Sequence, residues 1–347
     1  MKKRLCAALL GVCLLLTAGA CSPQREKMTD SIEAMDTFMT LEVYGVSGNE
    51  LSSIRANIEA LDKRLSVTND KGEDNEIFRV NQNGEGAVSP DVAELAEQSL
   101  ALCEDTGGAL DITVLPVVEE WGFISKDFQI PTAERLTALL PLVDHTQVSC
   151  ENNIIKLKRS GMKLDFGAVA KGYIADKATD ILRDADCQSA ILNLGGTVAA
   201  YGEKQNGQPW RVGIADPDNS ATFMGYLSCK DKVIATSGSY ERCFTGADGK
   251  VYSHIIDPKT GIPVDNGILS VTIISSSGVR SDGLSTALFV MGREKAEEYY
   301  HNHADFDFVM LTSDKKAIVT PGAADSFAVA QGYDYEIVRI TAYTTNA

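Results

Sequence analysis

Apolar positions between Asn49 and Ser66 recur every three or four residues: Leu51, Ile54, Ile58, Leu61 and Leu65 fall on one face. That spacing predicts an amphipathic helix with this face inward. A second helix opens at Ser89-Pro90, an N-cap followed by a first-turn proline, and closes at Gly107-Gly108. Further helical spacing runs over Pro131–Leu140 and over Lys171–Arg183, where Ile174, Ala178, Ile181 and Leu182 point inward. Two last pieces, Ser285–Met291 and Glu294–His301, are divided near Gly292. Strands are expected at Thr40–Tyr44, Ile154–Leu157, Ala190–Leu194, Trp210–Ile214, Lys232–Thr236, Val251–Ile256, Ser270–Ser275, Phe306–Thr312 and Tyr335–Thr341. From Gly195 to Ser275 strands follow one another with no helix between them. This favours an α+β architecture over a doubly wound parallel sheet. No repeat, low-complexity block or Pro-rich linker divides the chain, so residues 31–347 read as one domain.

The N-terminus breaks the pattern. Lys2, Lys3 and Arg4 precede an apolar run, Leu5 to Leu16, that is too short to span a bilayer. Small residues then lead to Cys21. Residues 1–20 read as a lipoprotein signal peptide, although Ala18 stands where such signals usually carry leucine. Cys21 is the expected lipidated (palmitate-bearing) residue, and the polar stretch Ser22–Asp30 is a flexible tether. An ordinary secretory signal is the alternative. The lipoprotein reading places the domain in a bacterial cell envelope, anchored to the membrane on its extracytoplasmic face.

The chain has 347 residues and a formal net charge of -16, with 44% hydrophobic residues. That composition suits a large buried core and argues against a nucleic-acid partner, which needs a basic face. An anionic ligand must then be held locally by a metal, helix N-termini and a few lysines or arginines. Cys103, Cys150, Cys187, Cys229 and Cys243 show no Cys-x-x-Cys spacing and read mostly as small buried hydrophobes.

The run from Leu164 to Asp176 reads as a short strand, a glycine turn at Gly167 and a helix start carrying Lys171. Backbone N–H groups beside a lysine suit a phosphate or pyrophosphate, and a simple tight turn is the plainer reading. Neither a Walker loop nor a Gly-x-Gly-x-x-Gly fingerprint is present. Asp282 and Thr286, four apart, share a helix face and could offer two oxygens to a hard cation; Asp282 could equally cap the helix. His254 on an apolar strand reads first as a satisfied core residue, while His145 has no obvious partner. Ser237 lies outside any Gly-x-Ser-x-Gly elbow.

Residues 165–176 resemble the Asp-x-Gly-x-x-Ala-Lys-Gly-x-x-x-Asp signature of the ApbE family, the FAD:protein FMN transferases. The resemblance extends, in order, through Met35-Asp36-Thr37, Glu76–Asn81, Ala109–Val117, Ala190–Gly196, Ala235–Gly238, His254–Gly261 and Ser281–Leu288. It implies a single ApbE-like (T-fold-like) domain with mixed or antiparallel sheets and packed helices. It also implies FAD as substrate and Mg²⁺ held by the Ala168 carbonyl, Asp282 and Thr286. Met35, Asp111, Lys171, Asp176, Gly195, Gly196, Ser237, His254 and Ile255 would line the flavin site, and His254 and Asp282 would be catalytic. The implied reaction moves FMN onto a threonine or serine of a second flavoprotein, usually part of a membrane redox complex, and releases AMP. The chain departs from the family pattern in three places. Asp36 replaces a glycine, the Ala109–Val117 run lacks a phenylalanine and its first proline, and Thr68 or Asn69 stands where an aromatic is usual. A smaller, more polar lid would let water compete, which leaves a Mg²⁺-dependent FAD pyrophosphatase as an alternative. A non-catalytic FAD-binding lipoprotein and a purely structural envelope lipoprotein complete the readings.

Overall fold

The computed structural model describes residues 26–68, 72, 74–303 and 305–341. A nine-stranded sheet organises it, in the order Lys27–Ala34, Thr37–Tyr44, Ser189–Asn193, Thr197–Gly202, Lys232–Gly238, Ile268–Ser275, Asp307–Thr312, Lys316–Val319 and Glu336–Arg339. Neighbours are antiparallel until the last pair, Lys316–Val319 with Glu336–Arg339, which is parallel. The mixed α+β architecture matches the expectation.

Both faces of the central strands are buried, and the period of two sorts their side chains between two cores. Ala199, Val233, Val271 and Ile273 face the helices. Ala200, Ile234, Ile274 and Val309 face a three-stranded sheet, Phe327–Val329, Asn219–Cys229 and Trp210–Asp216, through Trp210, Leu227 and Phe327. Double burial explains why these strands read as continuous apolar runs.

The Gly48–Leu65 helix buries the five residues its spacing predicts and starts in a capping box of Ser47 and Glu50. From it Arg55 reaches the outermost strand, where Nε donates to Asp30 Oδ2 at 2.8 Å and Nη2 donates to the Ser31 carbonyl at 2.8 Å. The Ala170–Asp184 and Gly278–Met291 helices pack on each other beneath the sheet. Their contact needs glycine on both sides: a Cβ at Gly172 would lie 2.0 Å from the Gly278 carbonyl oxygen, and one at Gly278 would lie 2.1 Å from that of Gly172.

Several expectations change. Residues 27–30, read as tether, are strand, because each of them pairs with the Thr37–Tyr44 strand. Residues 1–25, with the signal and Cys21, lie outside the described residues, as does Asn69. The last long helix begins at Gly278, a turn and more before Ser285, because Ser277 caps it and its small and polar first residues are buried without an apolar pattern to announce them. The expected Val251–Ile256 strand is broken into Val251–Ser253 and Ile256–Asp257, and the break turns His254 aside. Glu76–Asn83 is a helix, capped by Asn75. No disulfide forms among the five described cysteines: Cys103, Cys187 and Cys229 are buried, Cys150 is half-buried and Cys243 is exposed. Burial pushes the Cys103 and Cys229 thiols up to about 12.

Candidate functional site

The glycine-paired helices hold the centre of the site. The Gly172 N–H, in the first turn of its helix, donates to Asp282 Oδ2 at 2.9 Å, and the Thr197 hydroxyl faces Asp282 Oδ1 at 3.2 Å. Asp282 is therefore not a helix cap. Ser277 does that work, accepting from the Arg280 N–H. Asp176 assists from the neighbouring helix, its two oxygens accepting from the Gly278 N–H at 2.6 Å and the Val279 N–H at 3.1 Å. The structure thus spends Asp176, an expected flavin contact, on holding the helix that carries Asp282.

Three hydroxyls lie beside Asp282. Ser285 Oγ donates to the Asp282 carbonyl at 2.7 Å; Ser237 Oγ is 2.7 Å from Ser285 Oγ and 3.0 Å from Thr286 Oγ1. A carbonyl only accepts, so the protons run from Thr286 through Ser237 and Ser285 to it. Thr286 Oγ1 keeps its lone pairs. The Ala168 carbonyl is likewise free: among the described residues no group donates to it, because the Gly172 N–H that would reach back along a longer helix is turned to Asp282. One carboxylate, one hydroxyl and one carbonyl make an all-oxygen set. Among the described residues no group of three or more His, Cys, Asp or Glu side chains could hold a metal. A cation that accepts few protein oxygens and completes its shell with water and phosphate fits this set, which is the habit of Mg²⁺.

Loops close the site. Met35 and Asp36 form a two-residue hairpin turn with φ of 51° and 56°, a conformation aspartate tolerates better than most residues. The Met35 side chain packs against the core and its N–H donates to Asp62 at 2.8 Å. At Gly195, φ is 77° and a Cβ would fall 2.2 Å from Thr37 Oγ1, so glycine is required where this loop meets the hairpin. Gly196 follows, with Thr236 O and Glu241 Oε1 nearest to it.

Charge converges here from distant segments. Lys171 is half-buried and makes no hydrogen bond or ion pair among the described residues, yet its charge acts on Asp165, Glu241 and His254. Burial, more than any neighbour, raises the Asp165 carboxyl above its ordinary value, and Arg242 and Lys171 offset part of this. Burial first, and the Arg242 charge second, push His254 down to about 4. Its Nδ1 lies 3.3 Å from the Arg242 carbonyl, which only accepts, so Nδ1 carries the proton and Nε2 is the acceptor. Phe123 flanks the imidazole edge-on at 6.5 Å. Ile255 is buried in the core behind it.

Of the expected residues, Ser237, Asp282 and Thr286 are thus joined to the helix start of Ala168 and Lys171 through hydrogen bonds at Gly172 and Ser285, while Gly195, Gly196 and His254 lie on loops, His254 within reach of the Lys171 charge. Asp111 has structural partners of its own. It accepts from the Thr113 N–H at 2.9 Å and faces His145 Nδ1 at 2.9 Å, which supplies the partner His145 lacked in the sequence. Asp165, Glu241 and Arg242 were not singled out. Asp165 stands inside the signature run, whereas Glu241-Arg242 carries no local signal because only the fold brings it beside Lys171.

The Asp111–His145 pair has a pH signature. Burial pushes Asp111 up, but hydrogen bonds from His145 and Thr113 outweigh it and hold the carboxyl below 3.8. The hydrogen bond to Asp111 raises His145 above 6.5. The carboxylate contributes stability above 3.8 that is lost as pH falls through its lowered value; the imidazolium contributes below 6.5 and is lost as pH rises through its raised value. His145→Ala is expected to lower the melting temperature by several degrees near about pH 5.5 and by clearly less near about pH 8.5. Equal losses at both would mean that the pair acts without charge.

A model of the ApbE family matches residues 35–310. A FAD:protein FMN transferase of Vibrio cholerae is 32% identical over 292 residues, covering 81% of this chain and 86% of that protein. Among solved structures, the Pseudomonas stutzeri flavinyl transferase ApbE in apo form superposes with a TM-score of 0.73 at 28% identity, covering 83% of this chain and 92% of that one. The Vibrio cholerae flavin transferase ApbE superposes with a TM-score of 0.74 at 28% identity, covering 88% and 96%.

Proposed function

The chain belongs to the ApbE family, and from that premise we propose that it is a FAD:protein FMN transferase. In this reading it moves FMN from FAD onto a threonine or serine hydroxyl of a second flavoprotein and releases AMP. One observation carries the reading: the helix start that bears the unpaired Lys171 also holds Asp282 through the Gly172 N–H, with the uncommitted Ala168 carbonyl before it and the Thr286 hydroxyl one turn beyond Asp282. Such a site suits a pyrophosphate with its cation and little else.

Asp282, Thr286 and Ala168 would hold Mg²⁺, which neutralises pyrophosphate charge when bound. Lys171 binds phosphate oxygens from the other side, and the Gly195–Gly196 loop lets backbone approach them closely. His254, neutral through the physiological range, offers Nε2 to flavin or acceptor and cannot repel a cation. Transfer of this kind is mostly positioning and charge neutralisation, which is how a chain of net charge -16 can handle a polyanion. The N-terminal pattern supports an extracytoplasmic domain anchored through Cys21, where membrane redox proteins are the natural acceptors. Among the described residues no helix is long and apolar enough to cross a membrane.

The full chain, incubated with FAD, Mg²⁺ and an acceptor flavoprotein domain, tests this. The acceptor is expected to gain the mass of one FMN, with AMP appearing in equal amount. FMN and AMP with an unmodified acceptor would show a pyrophosphatase instead, the outcome a polar Thr68 favours. Bound FAD with neither product would reduce the protein to a carrier.

A further inference from the structure

We propose that Ser237 is a positioning residue of the cation site: its oxygen accepts the Thr286 hydroxyl proton and so keeps the Thr286 lone pairs turned toward Mg²⁺. The proposal rests on the transferase reading and deepens it, and it gives Ser237 a different task from the flavin contact expected from the sequence. Ser237 lies on the Lys232–Gly238 strand, opposite Val271 of the neighbouring strand. Val271 and Val233 face the helices, so the period of two turns Ser237 to the Gly278–Met291 helix as well. There its Oγ lies 2.7 Å from Ser285 Oγ and 3.0 Å from Thr286 Oγ1. A strand residue thus ties together two hydroxyls of the helix that also carries Asp282.

Proton counting fixes the direction of these bonds, since a hydroxyl has one proton to give. Ser285 is 1% exposed, too deep to reach a ligand, and gives its proton to the Asp282 carbonyl at 2.7 Å. Ser237 must then donate to Ser285, and Thr286 must donate to Ser237. Thr286, half-buried, is the end of the chain that opens to the site. Its proton is spent on Ser237, and its remaining lone pairs are free for a cation. Its branched side chain has few rotamers in a helix, so this one bond is enough to settle where the hydroxyl points. Without Ser237 the proton loses its acceptor and can turn into the site, where it repels a dication. Groups that hold the far side of a metal ligand carry about ten- to a hundredfold in metal affinity.

S237A removes the accepting oxygen and S237T keeps it. With the full chain and no acceptor protein present, FAD binding is read from flavin fluorescence across a series of Mg²⁺ concentrations. The Mg²⁺ concentration for half-maximal binding is expected to rise about tenfold or more in S237A and less than about threefold in S237T. At saturating Mg²⁺ the FAD affinity of S237A should return to that of wild type. In a T286A background S237A should add nothing, because Ser237 acts through Thr286. An unchanged Mg²⁺ dependence in S237A would overturn the proposal. So would a loss that saturating Mg²⁺ does not restore, which would make Ser237 a flavin contact, and so would full additivity with T286A. A wild type indifferent to Mg²⁺ would overturn the cation reading and the proposal together. If wild type releases FMN and leaves the acceptor unmodified, the transferase reading fails on its own, and the binding titration still decides the role of Ser237.

Discussion

Asp282→Ala is expected to lower kcat/KM for FMN transfer by about a thousandfold or more, the largest loss of any single substitution at the site. Two effects add. The variant loses the only carboxylate in the cation set, so pyrophosphate charge goes unanswered. It also leaves the Gly172 N–H and the Thr197 hydroxyl facing an apolar gap, an unsatisfied burial of about 1–3 kcal/mol. Asp282→Asn separates the two. Its amide oxygen can still accept from Gly172, so stability should fall by less than in the alanine variant, yet the charge is gone and activity should stay low. Steady-state transfer and thermal unfolding on the same samples check this. Transfer by the asparagine variant at ordinary Mg²⁺ would sink the cation reading.

Gly172→Ala should cost about 3 kcal/mol or more of stability, although it adds one methyl to a good helix former. The new Cβ would stand 2.0 Å from the Gly278 oxygen, 2.4 Å from its carbonyl carbon and 2.8 Å from Asp282 Cβ. Backbone atoms cannot rotate aside, so the helices must part, and the bond from Gly172 to Asp282 opens with them. Activity should therefore fall even at temperatures where the variant remains folded. Gly84→Ala is the comparison: nothing lies within 4 Å of its Cβ, and only a φ of 76° opposes it, so about 1 kcal/mol is expected. Chemical denaturation measures both. Similar losses would refute the close crossing of the two helices.

The sequence made the amphipathic elements legible and left the polar ones hidden. Leu51 to Leu65 announce their helix because one face is core and the other is water. The start of the Gly278–Met291 helix does not, since Gly278, Ser281, Asp282 and Ser285 are polar or small yet buried against neighbouring backbone or site, and Gly283 is buried against Leu102, Leu110 and Val169 with no side chain of its own to show it. The Lys27–Ala34 strand was missed because an edge strand alternates polar with half-buried residues instead of strongly apolar ones. At the site, Lys171, Asp282 and Thr286 were found through motif order. Arg242 was not, because only the fold brings its charge and its carbonyl beside His254, twelve residues away in the chain. Asp111 and Asp176 show the converse: acidic residues inside signature runs that serve the scaffold.

The reach of Arg55 to the outermost strand also bears on association. An open sheet edge offers unpaired N–H and C=O groups on which a second chain can extend the sheet and aggregate. Here a guanidinium from the covering helix sits on the Ser31 carbonyl and on Asp30, with Lys27 and Glu33 in the same strand. A strand arriving from another molecule would have to displace that contact and set its own side chains among these charges. The margin of the sheet at the Lys27–Ala34 strand is thereby guarded against growth by pairing with a second chain.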